Sequence, residues 1–372
     1  MARRTEAPFR ADHVGSLLRP PDLLTARSEH AEGRLSADEL RASEDAAIRD
    51  VVAMQRDAGL QSATDGEFRR SAWHMDFIYQ LGGVRRVEGN LHVKFRNAEG
   101  GLEFTPAASR VTSRINLDHT IFGEHFSFLR QQATAATPKL TIPSPSMLHY
   151  RGGRAAIDET VYPDMEQFWA DLSAAYAAEL RNLADLGCTY LQFDDTSLAY
   201  LNDPEQRRML AERGDDAEHQ HLRNIRQINA ALADRPDSLR VTVHMCRGNF
   251  QSSWVAEGGY DFVAESLFPE LAVDGFFLEY DDARSGSFAP LRFVPENKFV
   301  VLGLITTKSG KLESKDAIKR RIDEAAAYVP LEQLCLSPQC GFSSTVEGNH
   351  LTIDEQKAKL SLIVEIASEV WG

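Results

Sequence analysis

The feature that most restricts the fold of this chain is a rhythm in which apolar runs of strand length recur between amphipathic stretches of helical length. That alternation is the pattern of repeated βα units around a parallel sheet. Eight runs can be counted, near residues 9–16, 60–65, 138–142, 188–194, 239–244, 274–279, 298–305 and 332–337. Several intervening helices carry their own punctuation. Ser36 with Glu39 predicts a capping box ahead of Ile48, Val51, Val52 and Gln55, with Gly59 as the stop, and Thr352 with Glu355 repeats the device before the last helix. Asp164 opens a helix that closes at Gly187. Residues 84–115 break the alternation and predict a β-hairpin excursion turned at Asn97 to Gly101. No linker, low-complexity tract or short-period repeat divides the chain. The expected fold is therefore α/β, a single (β/α)8 TIM barrel over residues 1–372, with a doubly wound open sheet as the runner-up.

Length agrees, since a barrel of about 250 residues with insertions reaches 372. The balance of 41 basic against 55 acidic side chains repels phosphate backbones and anionic membranes, so no nucleic-acid partner is expected. No stretch approaches the ~18 uninterrupted apolar residues of a membrane helix, and a cytoplasmic protein is expected. Four cysteines are too few for a disulfide framework in a chain this long. Cys188 and Cys335 sit in apolar runs and read as core, whereas Cys246 and Cys340 keep different company.

The fifth run ends VTVHMCRGNF, which puts His244 and Cys246 two residues apart on an extended segment, with both side chains pointing the same way. The sixth run, DGFFLEYDD, is apolar until it delivers Glu279, and LSPQCGF presents Cys340 after the eighth. All four lie at C-terminal strand ends, the face where barrels build active sites, so they converge on one ion only if the barrel forms. By spacing alone, a core histidine with two buried thiols explains the same residues.

Taken together, HMC on a strand, a later strand-end Glu, SPQCGF, HVGS at 13–16, TDGEFRR at 64–70 and QFDD at 192–195 resemble the catalytic C-terminal barrel of cobalamin-independent methionine synthase. The resemblance covers nearly the whole chain. It implies that His244, Cys246, Glu279 and Cys340 bind zinc, that Val14, Gly15 and Ser16 hold the carboxylate of homocysteine, and that Glu67 and Asp194 hold its ammonium group. The residue types suit a zwitterion, with hydroxyl and backbone donors at one end and carboxylates at the other. Three anionic ligands more than neutralise Zn²⁺ and leave a bound sulfur electron-rich, which suits methyl transfer to a thiol better than activation of water. A free thiol of pKa about 8.5 is about 3% thiolate at pH 7, so full ionisation gains about 30-fold, or about 2 kcal/mol. Enzymatic accelerations begin at about 10⁶, and alignment of sulfur with the methyl group must supply much of the rest.

The resemblance implies a 5-methyltetrahydrofolate donor, whose leaving nitrogen needs a proton. Lys308, in VLGLITTKSG, stands where the family carries its proton-donating histidine, and with Asp194 is the catalytic candidate. An anion anchor or a solvated side chain is the equal alternative for Lys308, because a lysine of pKa about 10.4 is a weak acid unless its surroundings lower it. Tyr200 stands near where the family has a folate-contacting glutamate, and the protein is expected to lack the N-terminal barrel of the full-length synthase. His149 and Tyr150 offer an aromatic wall for a pterin or pack under a loop. Arg69, Arg70 and Arg247 meet either an anionic tail or neighbouring carboxylates. His219 and His221 read as a solvated helix face, and His74 as a structural histidine. Two enzymatic alternatives stay open, a methylcorrinoid protein as donor and a different thiol such as coenzyme M, although paired carboxylates repel a sulfonate. A non-catalytic thiol-binding or amino-acid-binding barrel with structural zinc is the alternative of another class.

Overall fold

A computed structural model describes residues 4–89, 93–97, 100–105 and 107–372. Along the chain the strands are β1 (Ser62–Ala63), β2 (Gly82–Val87), β3 (Val93–Phe95), β4 (Leu102–Phe104), β5 (Ala108–Asn116), β6 (Thr137–Pro143), β7 (Tyr190–Asp195), β8 (Arg240–Met245), β9 (Gly275–Glu279), β10 (Phe299–Ile305) and β11 (Leu334–Pro338). Seven of them form one curled parallel sheet in the order β1-β6-β7-β8-β9-β10-β11, with helices between successive members. The eighth place is filled by Arg10 to Asp12, since the Asp12 N–H donates to Leu336 O and the Leu336 N–H to Arg10 O, at 3.0 and 2.8 Å. On the other edge Thr64 Oγ1 donates to Gly15 O at 2.6 Å and Ser62 Oγ to Asp12 at 3.0 Å. The fold is the expected (β/α)8 barrel.

Two runs are shorter as strands than their apolar character predicts. The run at 9–16 contributes one bridge, at Ala11, because Gly15 turns the chain at φ 141° and a Cβ there would meet Thr141 Cγ2 at 2.6 Å. The run at 60–65 contributes only Ser62 and Ala63 to the ladder. The helix signals hold. Ser36 and Glu39 close a reciprocal capping box on Ala37–Asp57, Thr352 and Glu355 do the same on Ile353–Trp371, and the Asp164 side chain accepts from Glu166 N–H on Met165–Asp185.

The excursion spans 82–116 and is a hairpin in two stages. β2 pairs antiparallel with β5 down to Val87 opposite Ala108, and β3 pairs with β4 from Val93 opposite Phe104. Five residues separate the stages on one arm and three on the other, so one continuous ladder cannot form. The inner stage leans over the barrel mouth, where Arg96 and Trp254 exchange two backbone hydrogen bonds.

Strand register stacks polar layers inside the barrel. Lys139 lies beside Tyr190, then Thr141 beside Gln192 beside Thr242, then Pro143 beside Asp194 beside His244 at the C-terminal end. Among the described residues, no helix is long and apolar enough to cross a membrane.

Candidate active site and metal centre

β8 places His244 on the inward face, and its extended backbone carries on to Cys246, whose N–H donates to Asp195 O at 2.8 Å. β9 ends on Glu279, whose N–H donates to the Tyr260 hydroxyl at 2.8 Å, and Cys340 follows β11 by two residues. The ligand atoms of these four buried residues lie within 4.8 Å of one another. The two sulfurs are 3.5 Å apart, and His244 Nε2 is 3.9 Å from Glu279 Oε1. Tetrahedral zinc with Zn–S bonds of about 2.3 Å puts two thiolates about 3.8 Å apart, so the arrangement fits. Among the described residues, both ring nitrogens of His244 and Glu279 Oε2 are buried without a hydrogen-bond partner, a costly state that a cation would relieve at the carboxylate and at one ring nitrogen.

Protonation follows the same logic. The hydrogen bond from Cys246 and the charge of His244 hold the Cys340 thiol well below its ordinary value despite burial, while that hydrogen bond and burial push Cys246 well up. Burial opposes the charge on His244, but the Cys340 thiolate outweighs it and lifts the imidazole to about 9. Burial pushes Glu279 up to about 7. Without a metal the ligands share protons, and metal binding would release them.

A cavity of about 270 Å³ opens above the cluster. Val14, Ser16, Glu67 and Asp194 line it beside His244, Cys246 and Cys340. Glu67 adopts φ 62°, rare for a residue with a side chain, and its Oε1 accepts from Thr141 Oγ1 at 2.7 Å and lies 3.5 Å from Arg70 Nη1. Its Oε2 has no partner. Burial raises Glu67 against the pull of Arg70, and burial pushes Asp194 up to about 7. Two buried carboxylates facing one cavity have the chemistry to hold an ammonium group. Gly15 does not line the cavity and acts through the turn it allows.

Residues 143–369 match the family described as "Cobalamin-independent synthase, Catalytic domain". The chain belongs to this cobalamin-independent synthase family. It is a methyltransferase of the cobalamin-independent type. The uncharacterized protein YxjH of Bacillus subtilis is 47% identical over 372 residues, covering 99% of this chain and 96% of YxjH. The methionine synthase of Pyrococcus abyssi is 24% identical over 88% of this chain and 84% of its own. A solved Listeria monocytogenes protein, a candidate vitamin-B12 independent methionine synthase, superposes with a TM-score of 0.79 at 37% identity, covering 99% of this chain and all of its own.

In this cobalamin-independent synthase relative, several expected contacts are placed elsewhere. His149 and Tyr150 do not line the cavity. His149 packs edge-on against Trp169 and Tyr150 against Tyr200, at 4.8 and 5.9 Å between centroids, and only Tyr200 reaches the cavity wall. The aromatic wall comes instead from the excursion, as Phe95 and Phe104 pack 5.3 and 4.6 Å from Phe250, with Trp73 nearby. The alternation V-K-F and L-E-F in the two hairpin strands is the signal that points these rings one way. Lys308 lies outside the cavity wall, with Nζ 3.7 Å from Asp281, and acts by charge on Glu279 and Cys340.

Arg69 pairs with Glu44 and Asp45, Arg70 with Glu67, and Arg247 donates to Gly258 O, so all three meet internal partners. Arg151, absent from the expected set, lines the cavity and makes no ion pair among the described residues. His74 also lines the cavity, with both ring nitrogens unpartnered and burial holding it well below the usual histidine value. His219 is exposed as expected, but His221 is buried against Phe262 because its side of the helix packs on the neighbouring helix Asp261–Glu270.

Proposed function

We propose that this protein transfers a methyl group to the sulfur of homocysteine and forms methionine, with residues 1–372 acting as one zinc-binding barrel in the cytoplasm. The observation that carries the reading is that His244, Cys246 and Cys340 of the four-residue group share one cavity with Glu67 and Asp194. Bound zinc would supply a Lewis acid that ionises the substrate thiol. His244, Cys246, Glu279 and Cys340 would hold it. Glu67 and Asp194 bind the ammonium end of the amino acid, and Val14 to Ser16 bind its carboxylate. The same carboxylates would repel the sulfonate of coenzyme M, which favours an amino-acid thiol.

A 5-methyltetrahydrofolate fits as donor, its flat head against Phe95, Phe104 and Phe250 and its anionic part toward Arg151. In the transfer an S–CH₃ bond forms, the donor's C–N bond breaks, the thiol proton leaves, and the departing nitrogen takes a proton. The pairing of Lys308 with Asp281 supports the anchor role over direct proton donation. Four free cysteines suit a reducing compartment.

The test is metal content together with the metal's first shell. The purified protein should hold one zinc that Cys340→Ser loses, and titration with L-homocysteine should add a sulfur scatterer at about 2.3 Å by X-ray absorption. Metal-free wild type, or a first shell unchanged by homocysteine, would sink the reading.

A further inference from the structure

We infer that Gln192 is a positioning residue that sets the two ends of the amino-acid site against each other, and so selects thiols that carry an α-amino-acid head. The inference rests on the homocysteine reading. Gln192 is fully buried on β7, two residues before Asp194 on the same inward face. Its single amide nitrogen donates one hydrogen to Asp194 Oδ1 and the other to Val14 O, both at 2.7 Å. Asp194 belongs to the ammonium end of the site and Val14 to the segment at the carboxylate end.

These two segments are remote in sequence, and β1 and β6 stand between them in the sheet. Among the described residues, no other side chain bonds to both. Thr141, the register neighbour of Gln192, holds Glu67 in the same layer, so one polar tier of the barrel steadies the whole amino-acid site from below.

The chemistry of the primary amide explains the residue type. It offers two N–H donors on one neutral atom, and both neighbours are acceptors. Turning the amide over would set its carbonyl against a carboxylate and a carbonyl, so one orientation is enforced. Among the described residues Gln192 Oε1 has no hydrogen-bond partner, so the two donated bonds fix the orientation. Methionine matches the length and donates nothing. Glutamate matches the shape, donates nothing when ionised, and sets a second negative charge against Asp194.

Gln192→Met and Gln192→Glu, as full-length zinc-loaded proteins, are titrated by calorimetry with L-homocysteine and with 1-propanethiol, which lacks both the amino and the carboxylate group. Zinc content and thermal unfolding are measured alongside. Expected is one retained zinc, unchanged propanethiol affinity, and homocysteine binding weakened roughly 10- to 100-fold, the scale of a lost hydrogen bond to a charged group. Gln192→Glu should lose at least as much and guards against a Met variant that does not fold. Loss of affinity for both thiols together with zinc would mark a merely structural role and overturn the inference. So would homocysteine affinity within about twofold of wild type in both variants. Wild type that binds neither zinc nor homocysteine fails the underlying reading itself, which separates that failure from this one.

Discussion

Lys139 and Asp12 form an ion pair inside the barrel, both side chains fully buried, with Nζ 3.4 Å from Oδ1. Lys139 also donates to His13 O at 2.5 Å and sits 4.1 Å from the centroid of Phe277. Lys139→Met keeps the stem but strands a buried carboxylate, and breaking one side of such a pair costs about 3–5 kcal/mol. Asp12 keeps four donors, the N–H groups of Phe9 and His13 and the hydroxyls of Ser62 and Tyr190, which holds the loss near about 3 kcal/mol. At about 2.1 cal/mol/K per residue over 372 residues, the unfolding entropy is about 0.8 kcal/mol/K, so Tm should fall by about 4 °C. Adding Asp12→Asn removes the stranded charge and should recover part of that loss. Thermal unfolding of both variants decides it. A single variant within about 1 °C of wild type, or a double variant no better than the single one, refutes the claim that the two charges support each other. Because His13 O leads directly to Val14, Lys139→Met should also weaken homocysteine binding in a calorimetric titration.

Glu179, buried on Met165–Asp185, accepts from Ile121 N–H at 3.0 Å with its other oxygen unpartnered, and burial raises it to about 8. The folded state keeps a proton that the unfolded chain releases above its ordinary value of 4.5. This contribution is full below that value and fades as pH rises to about 8, by about 1.4 kcal/mol per unit. Denaturant unfolding should therefore show Glu179→Gln gaining on wild type between pH 5 and 8 by on the order of 4 kcal/mol, and a pH-independent difference would count against it. Phe250→Ala removes the ring that seats both excursion phenylalanines, and KM for the methyl donor should rise on the order of tenfold with homocysteine affinity unchanged. Equal losses for both substrates would mean that the wall does not belong to the donor. Dialysis against a chelator should lower Tm and homocysteine binding together, and restored zinc should recover both.

The sequence alone determines much of the strand and helix order, the capped helices and the residue types of the candidate metal group, because each is written in local patterns. Period, cap and turn chemistry act over a few residues, and HMC, a strand-end Glu279 and SPQCGF are legible one segment at a time. Even there, local reading overextends where a turn interrupts it, as Gly15 does to the first run. Only the tertiary structure decides which side chains share a space. It takes His149 and Tyr150 out of the cavity, puts Phe95, Phe104 and Arg151 into it, turns Lys308 toward Asp281 and buries His221. Those placements depend on how far an inserted hairpin leans and which helix face meets the barrel, quantities set by packing between segments remote in sequence. The two hydrogen bonds of Gln192 have the same origin, since they exist only once the barrel has brought Val14 and Asp194 to opposite ends of one amide.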